Sequence, residues 1–383
     1  MFGNCDSKPA SDAGLYVHVP FCRAKCRYCG FYSEPIENHD AQAVISAMIA
    51  EMDRYEPGDC VSTIYIGGGS PSSLKPEHLL RLVRHAAQLC PAAREFTVEI
   101  NPGQADMELL GGLRRAGVNR LSVGAQSFIQ RELDFLGRGC GVDCIGEAVR
   151  QARIAGFENI SLDLIFAIPG SGLDSWKHNL RAAIALAADH ISAYSLTYED
   201  GTSLAKDAAA GLVEPVDEDT DRAMYELAID ELAFAGLDQY EISNFARSGF
   251  ECRHNLNCWA NGSYIGIGPG AASYLNGTRS TNVADIDAYV RAVTDGKSAA
   301  ESSETLAARE QACETAVLNL RRRSGIDLAE FKSRTGFDLM QLFAEPIRTY
   351  QQRGLIEKDS GRVFLTRQAL GIADSILCDF ALV

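Results

Sequence analysis

Phe21-Cys22-Arg23-Ala24-Lys25-Cys26-Arg27-Tyr28-Cys29-Gly30-Phe31 follows directly on a β-branched run at 15–19. The spacing is C-x3-C-x2-C, on one short loop after a strand. Three thiolates so placed can hold three irons of a [4Fe–4S] cube and leave the fourth iron to a non-protein ligand. A structural zinc site needs a fourth protein ligand and usually carries two C-x2-C knuckles. His18 is the one nearby residue that could supply it. Inert core thiols are a third reading, and three closely spaced loop cysteines are seldom all buried.

Outward from this loop, short β-branched runs alternate with longer amphipathic ones. The spacing predicts strands at 15–19, 62–66, 96–100, 120–124, 160–166 and 191–197. Helical patterns lie near 40–55, 76–89, 106–116, 142–155, 173–187 and 218–235. Alternation of this kind makes a parallel sheet through right-handed crossovers. Six units are too few for a closed eight-fold barrel, so the expected fold class is α/β, a partial (β/α)6 barrel. Residues 201–217 read as a loop, with Gly201, Gly211 and Pro215 as breakers. From about 305 the pattern is helical again and ends in a hairpin at 354–366, which suggests a small winged-helix-like α+β domain. The expected division is a tail at 1–14, the barrel at 15–238, an extension at 239–304 and the C-terminal domain at 305–383.

The 383 residues carry 36 Lys+Arg and 51 Asp+Glu, a net charge of −15. An acidic chain is a poor binder of nucleic acid, which needs a basic face, and is not drawn to anionic lipid. The opening residues read as neither a secretory leader nor an Arg-rich presequence. A cytoplasmic setting is therefore expected, where twelve cysteines are thiols rather than a disulfide framework.

Polar and glycine-rich signals gather at the ends of the expected strands. Gly67-Gly68-Gly69-Ser70-Pro71 follows the second, and Glu99 to Pro102 ends the third. Gly124-Ala125-Gln126 ends the fourth, Asp163 lies in the fifth, and 194–199 ends the sixth. Barrels of this kind place active sites at the C-terminal ends of their strands. Glycines at 67–69 let backbone approach a ligand closely. Glu99 and Asp163 are carboxylates in apolar contexts, where an unpaired charge is costly. A sulfonium, an ammonium or Arg138 would offset that cost. A buried ion pair with an arginine is the plainer reading of Asp163, and a solvated helix-start residue that of Arg138.

The cysteine loop is the signature of the radical S-adenosylmethionine superfamily. Within it the chain resembles the oxygen-independent coproporphyrinogen III oxidase-like group, and most of all that group's heme-chaperone branch. The segments that carry the likeness are LYVHVPFCRAKCRYC (15–29), YIGGGSPSSL (65–74), VEINPG (98–103), GVNRLSVGAQSF (117–128), ISLDLIFAIPG (160–170), QYEISNFARSGFECRHNLNCW (239–259) and YIGIGPGAASY (264–274). The resemblance implies a [4Fe–4S] cluster on Cys22, Cys26 and Cys29. It implies S-adenosylmethionine contacts at Tyr16, Tyr28, Gly68, Gly69, Ser70, Glu99, Gln126, Arg138 and Asp163, with Gly268 to Ala271 near the adenine. In such proteins an electron from the cluster cleaves the sulfonium to a 5′-deoxyadenosyl radical, and the protein supplies position and dryness. Ser70 stands where threonine is usual, and 166–169 reads Phe-Ala-Ile-Pro where Tyr-Gly-Leu-Pro is usual.

Two features bear on activity. The oxidase carries a fourth cysteine two residues after the third, and here that residue is Phe31. The chaperone branch carries an H-N-x-x-Y-W heme motif. Here 254–259 reads His254-Asn255-Leu256-Asn257-Cys258-Trp259, with cysteine for tyrosine. Imidazole and thiolate both ligate heme iron, and residues four apart share a face if the segment is helical. The alternative is that His254 and Trp259 simply pack the barrel edge. Cys252 is either a further ligand or packed.

The implied function is heme delivery to an apo-hemoprotein, with a flavodoxin- or ferredoxin-type electron donor and membrane contact only through a partner. The other readings are oxidative decarboxylation of coproporphyrinogen III, and radical chemistry on another tetrapyrrole. Cys140 and Cys144 are four apart without a third ligand. Cys5, Cys60, Cys90, Cys313 and Cys378 are isolated. Arg321–Arg323 reads as a solvated helix face.

Overall fold

The computed structural model describes residues 12–381. Cys5 and most of the expected 1–14 tail lie outside the described residues.

All six expected strands form. They are β1 (Ala13–Val19), β2 (Val61–Gly68), β3 (Glu95–Ile100), β4 (Arg120–Gln126), β5 (Asn159–Phe166) and β6 (His190–Ser195). They pair in chain order and in parallel. Helices such as Ala41–Tyr55, Pro76–Leu89 and Leu173–Ala185 cover the outside. Aspartates at the helix starts set several boundaries, because their carboxylates accept the free N–H groups of the first turn. Asp40, Asp106 and Asp217 each do so.

The sheet continues past both ends of the six-strand core to a total of twelve strands. On the β1 side, β7 (Tyr264–Ile267) runs parallel to β1. Antiparallel strands Ala272–Leu275, Thr278–Asn282 and Ala300–Thr305 follow it. On the β6 side, Asn244–Ala246 and Asp238–Gln239 add in antiparallel fashion. The stretch expected as a barrel extension is thus woven into the main sheet at both edges. The expected loop at 201–217 contains a helix, Ser203–Ala209, because Thr202 caps its N-terminus through the N–H of Ala205 and Asp207 pairs with Arg27 at 2.8 Å.

Parallel strands covered on both faces usually read as unbroken apolar runs. These do not. Leu15, Val17, Ile64, Ile66, Val98, Leu121, Val123, Leu162, Leu164 and Ile191 are buried in the core. The alternate residues are polar: Thr63 and Tyr65 on β2, Thr97 and Glu99 on β3, Arg120 and Ser122 on β4, Ser161 and Asp163 on β5, His190 and Ser192 on β6. Barrel interiors are commonly filled with Val, Ile and Leu, so this polar lumen marks the site.

The C-terminal domain has its own three-stranded sheet, formed by Ile326–Asp327 and the hairpin of Ile356–Asp359 with Arg362–Leu365. Ser360 and Gly361 make the turn with φ of 48° and 83°, the two-residue type that matches strand twist. Helices Ala308–Leu320, Leu328–Thr335, Ala344–Gln352 and Ala373–Ala381 are its longer helices. Arg321–Arg323 is not a solvated face. It leaves the end of the first of these helices half-buried against the barrel, because Arg323 N donates to Tyr240 O and Arg322 bridges to Glu241.

Candidate functional site

A cavity of about 910 Å³ runs down the lumen from the cysteine loop to Asn255. Cys22, Cys26 and Cys29 line it, with Tyr28, Gly68, Gly69, Ser70, Glu99, Gln126, Arg138 and Asp163. These eleven expected site residues, far apart in sequence, therefore share one wall.

The donor set fits an iron–sulfur cluster. Arg138 reaches Cys26 Sγ with Nη1 at 3.6 Å and the Gly124 carbonyl with Nη2 at 2.7 Å. It is thus a cavity cation rather than a solvated helix-start residue. Burial pushes the Cys22 and Cys29 thiols up, and the neighbouring Cys26 adds to the rise. Bound iron would hold them as thiolates, and Arg138 with Lys25 would offset the charge. His18, the alternative zinc ligand, spends both ring nitrogens inside the protein. Its Nε2 donates to Tyr32 O at 2.9 Å, and its Nδ1 accepts from Tyr16 Oη at 3.1 Å. Among the described residues no three His, Cys, Asp or Glu side chains converge on one ion. Phe31 is 71% exposed and offers no fourth thiolate.

The glycine triplet is required by the protein itself as well as by a ligand. A Cβ on Gly67 would meet the Glu99 carboxyl at 2.7 Å, and one on Gly68 would meet His18 at 2.6 Å. On Gly69 it would meet the Phe21 carbonyl at 2.5 Å. There the strand end is tied to the cysteine loop, since Gly69 N donates to Val19 O and Ser70 N to Phe21 O. Gln126 sits at φ 66°, beyond an irregularity in the β4–β5 pairing. Strained backbone of this kind turns a side chain into a site.

Glu99 accepts from Tyr65 Oη at 2.7 Å, and burial pushes its carboxyl up to about 7. Asp163 does not form the arginine ion pair that a plain reading suggests. Ser192, Ser122 and Ser161 donate to it instead, at 2.8, 3.0 and 3.4 Å. Burial still raises its pKa, and the serine hydrogen bonds hold it down. Two carboxyls in one lumen, each with room to accept, suit an ammonium or sulfonium. Tyr194, at the strand end that the sequence marked, lines the cavity too; Arg120, Tyr65, Ser122 and Ser192 also line it, and motif reading missed them. Their signal was the polar period-two alternation along β2, β4 and β6.

Three expected cofactor contacts stand off this wall. Tyr16 packs its ring near Tyr65 and His254, at centroid distances of 6.2 and 6.4 Å. Gly268 lies against the His18 carbonyl, and Ala271 is 2% exposed. The Gly268 loop is held by Glu51, which accepts from Gly268 N at 2.9 Å and from Tyr289 Oη at 2.5 Å.

The segment with the heme motif is a helix, Arg253–Trp259, and it closes the floor of the lumen. Glu95, at the start of β3, accepts the N–H groups of Arg253 and His254, each at 2.9 Å. His254 faces the barrel interior and is 5% exposed. Thr63 Oγ1 lies 3.0 Å from its Nδ1, and Gly14 leaves room for the ring. Burial, with Arg120 nearby, lowers its pKa to about 4, so the imidazole is neutral. Cys258 stands one turn on, and burial pushes its thiol up to about 11. Cys252 is packed, with Sγ 3.6 Å from Glu95. Cys140 sits on the cavity rim against Asn101.

Residues 16–183 match the radical SAM superfamily, and residues 306–371 match the HemN C-terminal domain. The chain is 34% identical over 373 residues to the heme chaperone HemW of Bacillus subtilis (strain 168), covering 95% of this chain and 98% of that one. It is 38% identical over 270 residues to the heme chaperone HemW of Escherichia coli (strain K12), covering 67% and 68%. In fold it is similar to the coproporphyrinogen III oxidase (HemN) of Escherichia coli, with a TM-score of 0.84 at 21% identity over 98% of this chain and 91% of that one. The chain therefore belongs to the HemW family of the radical SAM superfamily.

Proposed function

We propose that the chain is a cytoplasmic heme chaperone that binds a [4Fe–4S] cluster on Cys22, Cys26 and Cys29, S-adenosylmethionine in the lumen, and heme at His254 with Cys258. It delivers the heme to an apo-hemoprotein. The observation that carries this reading is the shared cavity, with the cluster thiols at one end and heme-motif residue Asn255 at the other. The cluster supplies one-electron chemistry and a chelating iron when bound. The chain's own residues orient and neutralise. Glu99 and Asp163 accept from a cationic amino acid, Arg138 balances the thiolates, and the covering helices exclude water.

Anaerobic reconstitution tests it. A Cys22/Cys26/Cys29 triple alanine variant should lose the cluster's visible absorption and keep its fold by circular dichroism. Added heme should give the wild type a shifted Soret band, and His254→Ala should lose most of that shift. Heme binding unchanged in His254→Ala would remove the proposed ligand. A second reading, oxidative decarboxylation of coproporphyrinogen III, draws on the eight expected S-adenosylmethionine contacts that line the lumen with the cluster thiols. Robust anaerobic formation of protoporphyrinogen and 5′-deoxyadenosine would establish it in place of the chaperone. Phe31 in the fourth-cysteine position weighs against it.

A further inference from the structure

The arginine run at 321–323 has no place in the cofactor cavity, and the structure sets it against the motif helix. Arg321 Cζ lies 4.8 Å from the centroid of the Trp259 ring. Asn319 Nδ2 donates to Trp259 O at 3.3 Å. Arg334 donates to the carbonyls of Ala260 and Asn261. The C-terminal domain therefore clasps the far end of the helix whose near end is fixed by Glu95.

This seam holds donors without acceptors. Trp259 Nε1, Arg321 Nε and Arg322 Nε are all buried and have no hydrogen-bond partner among the described residues. Buried N–H groups are nearly always paired, so these three call for an explanation, while Arg322 Nη2 donates to Asn319 Oδ1 and to Gly325 O. The group that would satisfy them is acceptor-only, with several lone pairs, and a carboxylate is such a group. Glu241 faces the same seam. It bonds Asn244 through one oxygen, and its other oxygen is equally unpartnered, so it leaves the three donors open. Arginines gather there, with Glu241 and Glu330 among them. Arg322 is held low first by burial, then by Arg362 and Arg334, with Glu330 opposing. The ion pair of Arg321 is to Asp374 at 2.9 Å, whose side chain is 86% exposed. Exposed pairs are weak and exchange readily. A small crevice lined by Asn261, Tyr274, Thr315 and Arg334 opens past the end of the motif helix, with Trp259, Arg321 and Arg322 outside its lining.

Resting on the reading that His254 takes heme iron, we propose that Arg321 and Arg322 form the subsite for the propionate carboxylates of the tetrapyrrole. Trp259 stands five residues after His254, roughly 7 Å along the helix axis, which is on the scale of the path from a porphyrin centre to its carboxylates. His254 is seated in the barrel floor, so uptake requires the motif helix to leave it. Carboxylates that engage Arg321 and Arg322 loosen the clasp on that helix as the iron meets the imidazole.

The test compares hemin with hemin dimethyl ester, which lacks the carboxylates, on the full cluster-loaded chain, read by Soret titration. The wild type should bind hemin roughly tenfold or more tightly than the ester, the scale of a charge-assisted hydrogen bond. Arg321→Gln/Arg322→Gln should bind both ligands alike, at the wild type's affinity for the ester. A Lys pair at the same positions should keep part of the preference. Equal wild-type affinity for the two ligands, or a Gln pair that keeps the preference, overturns the proposal. The wild-type comparison decides even if the Gln pair fails to fold. If His254→Ala binds hemin as the wild type does, it is the underlying heme reading that fails, whatever the ester shows.

Discussion

Glu99 is the residue whose surroundings do most to set the chemistry of the lumen. Its carboxyl titrates at about 7 in the folded protein against an ordinary value of 4.5. A raised carboxyl pKa means that the folded state binds the extra proton between those two values. Its contribution to stability is therefore fully present below about 4.5 and is lost as pH rises through about 7. In cofactor-free protein at pH 8, Glu99→Gln should raise stability, by at most about 3 kcal/mol, read as an increase in Tm. The same substitution should weaken S-adenosylmethionine binding, which in the wild type should fall off below pH 7 as the carboxylate is protonated. Calorimetry at pH 6 and 8 checks both. Ala167 gives a second residue-scale case. It adopts φ 57° and is 4% exposed. A left-handed conformation costs a non-glycine residue roughly 1–2 kcal/mol. Ala167→Gly should thus stabilise the chain by about 1 kcal/mol in urea unfolding, with cofactor binding unchanged.

At the scale of elements, the join between β2 and the cysteine loop is held by backbone hydrogen bonds that only glycines allow. A methyl on Gly69 would meet a carbonyl oxygen, which cannot rotate away. Gly69→Ala should cost about 1–3 kcal/mol, as overpacking does, and should lower the iron content of reconstituted protein because the loop is displaced. The motif helix is the other decisive element. It has seven residues, too few to be stable alone, and it is kept by Glu95 at one end and by the C-terminal domain at the other. Arg253 N and His254 N each donate to a different oxygen of Glu95, so Glu95→Gln, whose amide NH2 cannot accept, should keep only one of the two bonds. Faster amide exchange at 253–258, with little change in strand protection, is the expected result.

For the whole molecule, the C-terminal domain is a retaining piece as well as an appendage. Arg334 joins it to the turn after the motif helix. Arg334→Ala should speed hydrogen exchange in the motif helix and raise the rate of heme uptake, while the cluster spectrum stays unchanged. Slower uptake would show that the clasp supports binding rather than opposing it. Among the described residues no helix is long and apolar enough to cross a membrane.

Local rules were enough for much of this. The alternation of runs implied six strands and their covering helices, because burying one face of each element leaves a periodic trace. The cysteine spacing implied a cluster, since ligands on one loop need no tertiary information. The strand-end motifs marked the face where ligands bind. Partners distant in sequence were a different matter. That Asp163 meets three serines rather than an arginine, that Arg138 turns to Cys26, and that Gly67 to Gly69 make room for Glu99, His18 and the cysteine loop all depend on strand register. The placement of 239–304 at both sheet edges, and of His254 in the barrel floor beneath an arginine clasp, was decided only by the packing of one domain on another. Such contacts join residues tens to hundreds of positions apart, and no local pattern encodes which surface meets which.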